Sequence, residues 1–323
     1  MMITMQGKSP VHQPVLLREM MEYLVPQNGD VFVDGTLGMG GAASLASEAI
    51  APQGFFIGLD KDAESLDIAR NNLKKVAGKK ELVHTDFRDM KSVLDELEIH
   101  QADKIFLDLG ISSFQLDQDT RGFSFDKEGP LDMRMDRSSG LTAADVVNKF
   151  PEKELADLIY LYGEERYSRR IAKRLVSLRD EKAFETTREL AEAVKGSLRG
   201  TVKPGHTRIH PATRTFQALR IYVNHELESL EIFLQGFVEC LKPGGRIGII
   251  SFHSLEDRLV KTAFRREVGQ CVCDAPVELC KCPKKVNIRL ITRKPVIPAE
   301  DEIFDNPRSR SAKFRVAERV KSI

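Results

Sequence analysis

The 323-residue sequence has no tryptophan, no large net charge and no apolar run of the roughly 18 residues that a membrane-spanning helix needs. The missing tryptophan excludes nothing, but the missing apolar run predicts a protein without a membrane partner. The first ten residues also lack the apolar core of a secretory signal peptide, so we expect a cytoplasmic protein. With a formal net charge of +1, any nucleic-acid surface must come from the local distribution of charge.

Cysteine is scarce as well, with five residues, yet four of them form the pairs Cys271-x-Cys273 and Cys280-x-Cys282. In a reducing compartment such a cluster favours a metal site over disulfides. Four thiolates could hold one structural zinc ion in a tetrahedron, although C-x-x-C is the commoner spacing. Reduced free cysteines are an equally weighted alternative.

The most informative stretch is DVFVDGTLGMGG at 30–41, where a strand pattern runs into four glycines within seven positions. Helix-forming sequence follows at 42–49. Strand, glycine loop and helix form the opening of a nucleotide-binding α/β unit, because glycines allow close backbone approach and the helix start offers free N–H groups. The acidic Asp34 before the glycines would repel a pyrophosphate and favour a cation or ribose hydroxyls. The loop therefore favours S-adenosylmethionine (SAM) over a dinucleotide, with a tight structural turn as the alternative.

Further strand patterns at 55–60, 81–87 and 104–110 alternate with helical stretches, which predicts a parallel, doubly wound sheet. Ligands of such sheets bind at the carboxyl ends of the strands. The residues expected at those ends are Asp34, Asp60, Phe87 and Asp108. Asp60 is the expected ligand of the cofactor ribose, with a helix N-cap as the alternative.

After the fourth strand the sheet pattern stops, and helical segments fill about a hundred residues. We expect 118–209 to be an inserted helical domain and 1–117 with 210–323 to be the α/β domain. Apolar residues spaced by three and four from Phe216 to Phe237 predict one long returning helix. A fifth strand at 246–252 and two final, antiparallel strands at 287–292 and 312–316 complete the expected sheet.

Two stretches are candidates for RNA binding. The segment 195–220 holds six lysine and arginine residues, including Lys203, Arg208 and Arg214, and no acidic residue, which indicates phosphate contacts. Acidic helices elsewhere could instead balance this charge in space. In the RGFSF loop at 121–125, Phe123 and Phe125 could stack on an extruded base or could simply pack the domain junction.

Over nearly its full length the sequence resembles the bacterial 16S rRNA cytosine-N4 methyltransferases, also called the MraW family. The resemblance rests on HQPVL at 12–16, DGTLGMGG at 34–41, DLGISS at 108–113, QLD at 115–117, RGFSF at 121–125, GPLDMRM at 129–135, HPATRTFQA at 210–218 and SFHSLEDR at 251–258. It implies a SAM-dependent, Rossmann-like methyltransferase fold with an inserted helical domain. It further implies methylation of a cytosine in the decoding region of the small-subunit rRNA, cytosine 1402.

By the same resemblance, particular residues receive roles. The cofactor ligands carried over are Gly40, Gly41, Ala42, Asp60, Phe87, Asp108 and Gln115. The candidate RNA contacts come instead from the residues themselves, and they are Phe123, Phe125, Lys203, Arg208, His210, Arg214 and His253. The family usually has a histidine after the paired glycines, where this chain has Ala42, so only backbone contacts carry over there.

Asp108 is the candidate catalytic residue, because a carboxylate at a strand end beside the cofactor could orient the cytosine amino group and accept its proton. The alternatives are methylation of an amino group in another RNA or in DNA, a dehydrogenase using NAD(P), and a ribosome-assembly factor that binds SAM without catalysis. A homodimer is left open beside a monomer.

Overall fold

The computed structural model describes residues 14–200, 210–273, 280 and 284–321. The chain divides into two compact units, one formed by residues 1–110 and 230–323 and the other by residues 111–229. No helix in the described ranges has the length and apolarity needed to cross a membrane.

The first unit, which we call the α/β unit, is built on a seven-stranded sheet. Its strands are β1 (Val31–Asp34), β2 (Phe55–Asp60), β3 (Lys79–His84), β4 (Ala102–Asp108), β5 (Leu241–Ser251), β6 (Ile288–Leu290) and β7 (Lys313–Arg319). They lie in the order β3-β2-β1-β4-β5-β7-β6; β1 to β5 are parallel, and β7 runs antiparallel to both of its neighbours. The predicted doubly wound sheet is confirmed, and its strand order reverses between β1 and β4, where ligands of such sheets bind.

Helices cover both faces of this sheet because successive strand residues point to opposite sides. Phe32 and Phe56 belong to one buried cluster, whereas their neighbours Val33 and Ile57 belong to another. The helices of the unit are α1 (Leu17–Leu24), α2 (Gly41–Ile50), α3 (Ala63–Asn72), α4 (Met90–Glu96), α11 (Glu226–Cys240, most of which lies in this unit), α12 (Ser254–Glu267) and α13 (Glu300–Asp305). The first three pack in the phenylalanine cluster, and α4, α11 and α12 pack in the other.

The second unit, which we call the helical unit, has its own hydrophobic core. Its helices are α5 (Ser113–Asp117), α6 (Ala143–Lys149), α7 (Glu152–Gly163), α8 (Ser168–Arg179), α9 (Thr187–Ser197) and α10 (Thr213–Val223). The unit begins earlier and ends later than the segment 118–209 expected from the sequence.

The later end follows from a break in the returning helix, which the apolar spacing predicted as continuous. The helix stops at Val223 and restarts at Glu226, with His225 in the left-handed region at φ 52°. The buried side chain of Asn224 accepts a hydrogen bond from the N–H of Met135 at 2.7 Å and donates to the carbonyl of Met133 at 2.7 Å. These contacts attach α10 to the core of the helical unit.

We expect Asn224→Ala to lower the free energy of unfolding by about 1–3 kcal/mol, because it leaves a buried N–H and a buried carbonyl without partners. Denaturant unfolding followed by circular dichroism measures the change. Asn71→Ala, in an exposed part of α3, is the control and should have little effect. Equal stability of Asn224→Ala and wild type would show that the helix break does not depend on this side chain.

Candidate active site

Three carboxyl groups end three adjacent parallel strands of the α/β unit: Asp34 on β1, Asp60 on β2 and Asp108 on β4. Since parallel strands end at the same edge of a sheet, the three groups share one edge. Asp34 is only 2% exposed, and Asp60 and Asp108 are half-buried. Burial of a carboxylate is unfavourable unless hydrogen-bond donors or cations compensate its charge. The contacts of each carboxyl group therefore show how far its charge is compensated.

Asp60 has the most donors. Its two carboxylate oxygens accept hydrogen bonds from the backbone N–H groups of Gly38, at 2.7 Å, and Asp62, at 2.8 Å. Burial raises the pKa of Asp60 to about 6, and these two N–H donors oppose the rise. The carboxylate thus ties the glycine loop after β1 to the end of β2.

Asp34 takes its hydrogen bonds from Thr36 alone and has a larger pKa shift. The N–H of Thr36 donates to its Oδ1 at 3.0 Å. Burial is the main reason that the pKa of Asp34 rises to about 7; the hydrogen bonds from Thr36 oppose the rise, and the negative charge of Asp60 adds to it.

Asp108 has no compensating donor among the described residues. Its Oδ1 is buried without a hydrogen-bond partner in that part of the chain. Burial, followed by the negative charges of Asp34 and Glu256, raises its pKa to about 8. Its backbone N–H donates to the hydroxyl oxygen of Thr36 at 2.6 Å, which joins the end of β4 to the loop after β1.

The glycine loop between β1 and α2 requires glycine at specific positions. Gly38 and Gly40 have φ values of +52° and +81°, and Gly40 precedes α2 without any side-chain cap. A Cβ on Gly41 would lie 2.8 Å from the Cγ of Pro14, so a side chain there would displace that proline. The N–H groups at the start of α2, at Gly41 and Ala42, are therefore available to a ligand.

The turn after β5 places a further buried carboxyl group in this unit. Glu256, 2% exposed, accepts hydrogen bonds from the N–H groups of Phe252 at 2.8 Å and His253 at 3.3 Å. His253 is the N-cap of α12, and its Nε2 lies 3.1 Å from Glu256 Oε1. The structure thus gives His253, a candidate RNA contact, a role in closing this turn.

The remaining predicted cofactor ligands lie in different elements. Phe87 does not end a strand, since β3 stops at His84 and Phe87 begins a short 3-10 helix, where its ring packs edge-on against Phe233 at 5.8 Å. Gln115 belongs to the helical unit, where its Oε1 accepts a hydrogen bond from the N–H of Ser112 at 3.0 Å at the start of α5.

Comparisons with known proteins show the family to which the chain belongs. The family model described as the MraW methylase family matches residues 9–320. The chain belongs to this family. A protein from Syntrophotalea carbinolica named ribosomal RNA small subunit methyltransferase H is 51% identical over 309 residues, 96% of this chain and 98% of the relative. A protein of the same name from Carboxydothermus hydrogenoformans is 48% identical over 311 residues, with the same two coverages.

Solved structures resemble this methylase-family chain more distantly. A SAM-dependent O-methyltransferase from Thermotoga maritima has a TM-score of 0.41 and 10% identity, over 98% of this chain and 69% of that one. A likeness of this size adds nothing to the family assignment.

The two loop aromatics of the methylase's helical unit have unequal environments. Phe123 is 6% exposed and belongs to the core of that unit, so the prediction that it stacks on a base is wrong for this conformation. Phe125 is half-buried; its ring centroid lies 4.5 Å from that of His210 and 4.9 Å from that of Phe216. Phe125 and His210 therefore remain candidates as a pair.

The basic segment 195–220 is less unbalanced than its sequence suggests, because acidic residues from outside the segment reach half of its six cations. Lys203 and Arg208 lie outside the described residues. The pairs are Lys195–Glu192 at 3.1 Å, Arg214–Glu165 at 3.5 Å and Arg220–Glu226 at 2.8 Å. The expectation that the charges of Lys195, Arg214 and Arg220 are uncompensated is therefore wrong.

A stronger basic surface lies on α8, which the sequence reading missed. Its exposed side chains are Arg169, Arg170, Lys173 and Arg174, and none of them forms an ion pair with another described residue. Ile171, Ala172 and Leu175 bury the opposite face. The sequence does contain the pattern that predicts this surface, which is a set of basic residues at helical spacing beside an apolar stripe.

The cysteine cluster is partly described. The sulfur atoms of Cys271, Cys273 and Cys280 lie within 3.6 Å of one another, whereas Cys282 lies outside the described residues.

Asp108→Asn should reduce the pH dependence of stability. Folding raises the pKa of Asp108 from 3.8 to about 8, so its contribution to stability is complete below about pH 4 and is lost as pH rises toward 8. For one proton the loss is at most about 1.4 kcal/mol per pH unit. Denaturant titrations of the ligand-free protein between about pH 5 and pH 8 should show a smaller decline for Asp108→Asn than for wild type. The exposed Asp67→Asn is the control, and equal declines in wild type and Asp108→Asn would contradict the assignment.

Proposed function

We propose that the protein transfers a methyl group from SAM to the exocyclic N4 of a cytosine in the decoding region of 16S rRNA, cytosine 1402. Family membership and the names of the relatives support an rRNA methyltransferase. The observation that carries the catalytic part is Asp108, whose buried Oδ1 has no partner among the described residues. An enzyme with this substrate would act in the cytoplasm on the small ribosomal subunit or its RNA.

The residues at the sheet edge fit SAM better than a dinucleotide. Bound SAM supplies a methyl group activated by attachment to a positively charged sulfonium. Three acidic groups at this edge favour a cation and disfavour a pyrophosphate, which argues against NAD(P). The residues of the α/β unit that would hold SAM are Gly40, Gly41, Ala42, Asp60, Phe87 and Asp108, and Gln115 stays a candidate from the family resemblance.

Asp60 is suited to ribose hydroxyls because each of its oxygens accepts only one of the two backbone hydrogen bonds described above. A carboxylate oxygen can accept a second hydrogen bond, so both hydroxyls of a ribose have acceptors without loss of the loop contacts. Ala42, where the family usually has histidine, contributes its backbone N–H alone.

Asp108 is suited to the cytosine amino group. The N4 lone pair of cytosine is delocalised into the ring, and an acceptor for the amino hydrogens would localise it. The carboxylate of Asp108 would accept such a hydrogen bond through its unpartnered Oδ1 and then take the proton released by N4 on methylation. Burial keeps the pKa of Asp108 near 8, so it holds that proton at neutral pH.

Contacts with RNA phosphates would come from the helical unit. Arg169, Arg170, Lys173 and Arg174 point into solvent from one helix without acidic partners among the described residues. The backbone carbonyl of Arg199 accepts a hydrogen bond from Arg170 Nη2 at 3.2 Å, so the end of the 195–199 basic stretch lies against this face. Lys203 and Arg208, which lie outside the described residues, stay sequence-based candidates for phosphate contacts.

The function is tested by supplying tritiated SAM with small ribosomal subunits or naked 16S rRNA lacking the modification, followed by nucleoside analysis. We expect labelled N4-methylcytidine. In single-turnover reactions at saturating SAM, Asp108→Asn should reduce the rate by about a hundredfold or more, since it removes the acceptor charge and presents N–H groups to the amino group. SAM affinity measured by calorimetry should fall much less.

Three outcomes would count against this function. Label in another nucleoside would show that the substrate is not this cytosine. SAM binding without any methyl transfer would favour an assembly factor. A normal transfer rate with weak SAM binding in Asp108→Asn would make Asp108 a cofactor ligand only. Asp67→Asn, an exposed carboxylate in the same unit, is the matched control for the substitution.

Replacing Arg169 and Lys173 with glutamine should weaken RNA binding and reduce the salt dependence of log K by up to about two phosphate contacts. Both residues lie on the exposed face of α8, so SAM affinity should not change. Fluorescence anisotropy with a decoding-region RNA over a range of salt concentrations measures both quantities.

The matched control is the double substitution of Lys149 and Lys153 with glutamine. It removes the same charge from the same unit, but at residues paired with Asp145 at 2.6 Å and Asp157 at 3.5 Å. If both double variants change the salt slope equally, the effect is one of net charge and α8 is not the RNA surface.

A further inference from the structure

Three thiols converge in the segment between α12 and β6 of the α/β unit. The Sγ of Cys271 lies 3.4 Å from that of Cys273 and 3.2 Å from that of Cys280, and the Cys273 and Cys280 sulfurs are 3.6 Å apart. Cys271 and Cys273 are exposed and Cys280 is half-buried. Three sulfurs in mutual contact on an exposed segment are not explained by burial of apolar surface.

The chain on either side of the cysteines is held together at its base. Val268 and Val286 form an antiparallel bridge, and the N–H of Asn287 donates to the carbonyl of Glu267 at 2.8 Å. Gly269, at φ +77°, packs so closely that a Cβ there would lie 3.0 Å from the carbonyl oxygen of Lys284. These contacts hold the two ends of the segment together, and Cys271 and Cys273 lie close to Cys280.

The sulfur spacing agrees with a shared metal ion. Thiolates about 2.3 Å from a tetrahedral zinc lie about 3.8 Å apart, so the observed triangle needs to open by only a few tenths of an ångström. A disulfide requires two sulfurs about 2.05 Å apart and would leave the third without a role. Hydrogen bonds between thiols are weak, so they do not by themselves account for the convergence.

We propose that Cys271, Cys273 and Cys280 bind one zinc ion that stabilises the segment between Val268 and Val286. Each thiol releases its proton to solvent as its sulfur forms a bond to the ion. The three thiolates more than neutralise the charge of Zn²⁺. The fourth position of the tetrahedron belongs to a further ligand. The site is structural, separate from the carboxyl groups of the sheet edge, and holds whether or not the proposed methyl transfer is correct.

The test is metal analysis of the full-length protein, purified without chelator and with zinc in the growth medium. We expect about one zinc per chain, and release of that zinc when a mercurial reagent blocks the thiols. Cys273→Ser and Cys280→Ser should each lose most of the metal. The matched control is Cys240→Ser, because Cys240 is the buried cysteine of α11, where burial raises the pKa of its thiol to about 11.

A second measurement depends on neither activity nor global folding. Lys284 and Lys285 follow the cluster closely, so trypsin should cut there faster after zinc is removed by a chelator, and re-added zinc should restore protection.

Either of two results for zinc would overturn the proposal, as would the disulfide described last. One is a protein that stays zinc-free after incubation with the metal while its cluster thiols all react with Ellman's reagent. The other is zinc that stays bound in Cys273→Ser and Cys280→Ser, because the ion would then lie elsewhere. A disulfide within the segment, detected as a loss of two mass units under non-reducing conditions, would also exclude the thiolate site.

Discussion

The structure of the sheet edge depends on the unfavourable burial of three carboxyl groups. Burial is the main cause that raises their pKa values, and hydrogen bonds oppose the rise at Asp60 and Asp34 but not at Asp108. Asp60 receives two backbone N–H groups and has a pKa of about 6, Asp34 receives hydrogen bonds from Thr36 alone and has a pKa of about 7, and Asp108 receives none from the described residues and has a pKa of about 8. The hydrogen-bond donors that the chain supplies thus go to the two carboxyl groups that shape the glycine loop, Asp34 and Asp60. The group left uncompensated is the one at the strand next to the reversal of strand order, where an external partner can reach it.

Most of this edge could be predicted from the sequence, because it rests on local patterns. Alternating apolar residues marked the strands, acidic residues ended three of them, and glycines marked the loop in which two positive φ angles lie two residues apart. The misplacement of Phe87 has a local reason too. The β-prone residues 81–87 continue past the true strand end, where Asp86 accepts a hydrogen bond from the N–H of Arg88 and turns the chain into a short helix.

What the sequence could not show was set by contacts between distant residues. The apolar spacing continues through Asn224 and His225, so only the hydrogen bonds of Asn224 to Met133 and Met135 reveal the helix break. Charge behaves in the same way. The segment 195–220 contains no acid, yet Glu165 and Glu226 reach Arg214 and Arg220 from outside it, while the cations of α8 stay unpaired among the described residues. A count of charges along the chain measures neighbours in sequence, whereas phosphate binding depends on neighbours in space.

The raised pKa of Asp108 also constrains how the proposed reaction can begin. A neutral carboxyl group has one O–H donor, and a cytosine amino group is itself a donor, so a protonated Asp108 would have one fewer acceptor to offer and would not activate N4. A positive charge bound beside Asp108 lowers its pKa and restores the carboxylate. In the proposed enzyme, Asp108 would therefore accept a hydrogen bond from N4 only when a cation occupies the sheet edge, and its raised pKa would let it hold the proton taken from N4 once that positive charge is gone. No described residue donates to Oδ1, and this would suit the proposed role, because an internal hydrogen bond would lower the pKa of Asp108 permanently and weaken it as a proton acceptor.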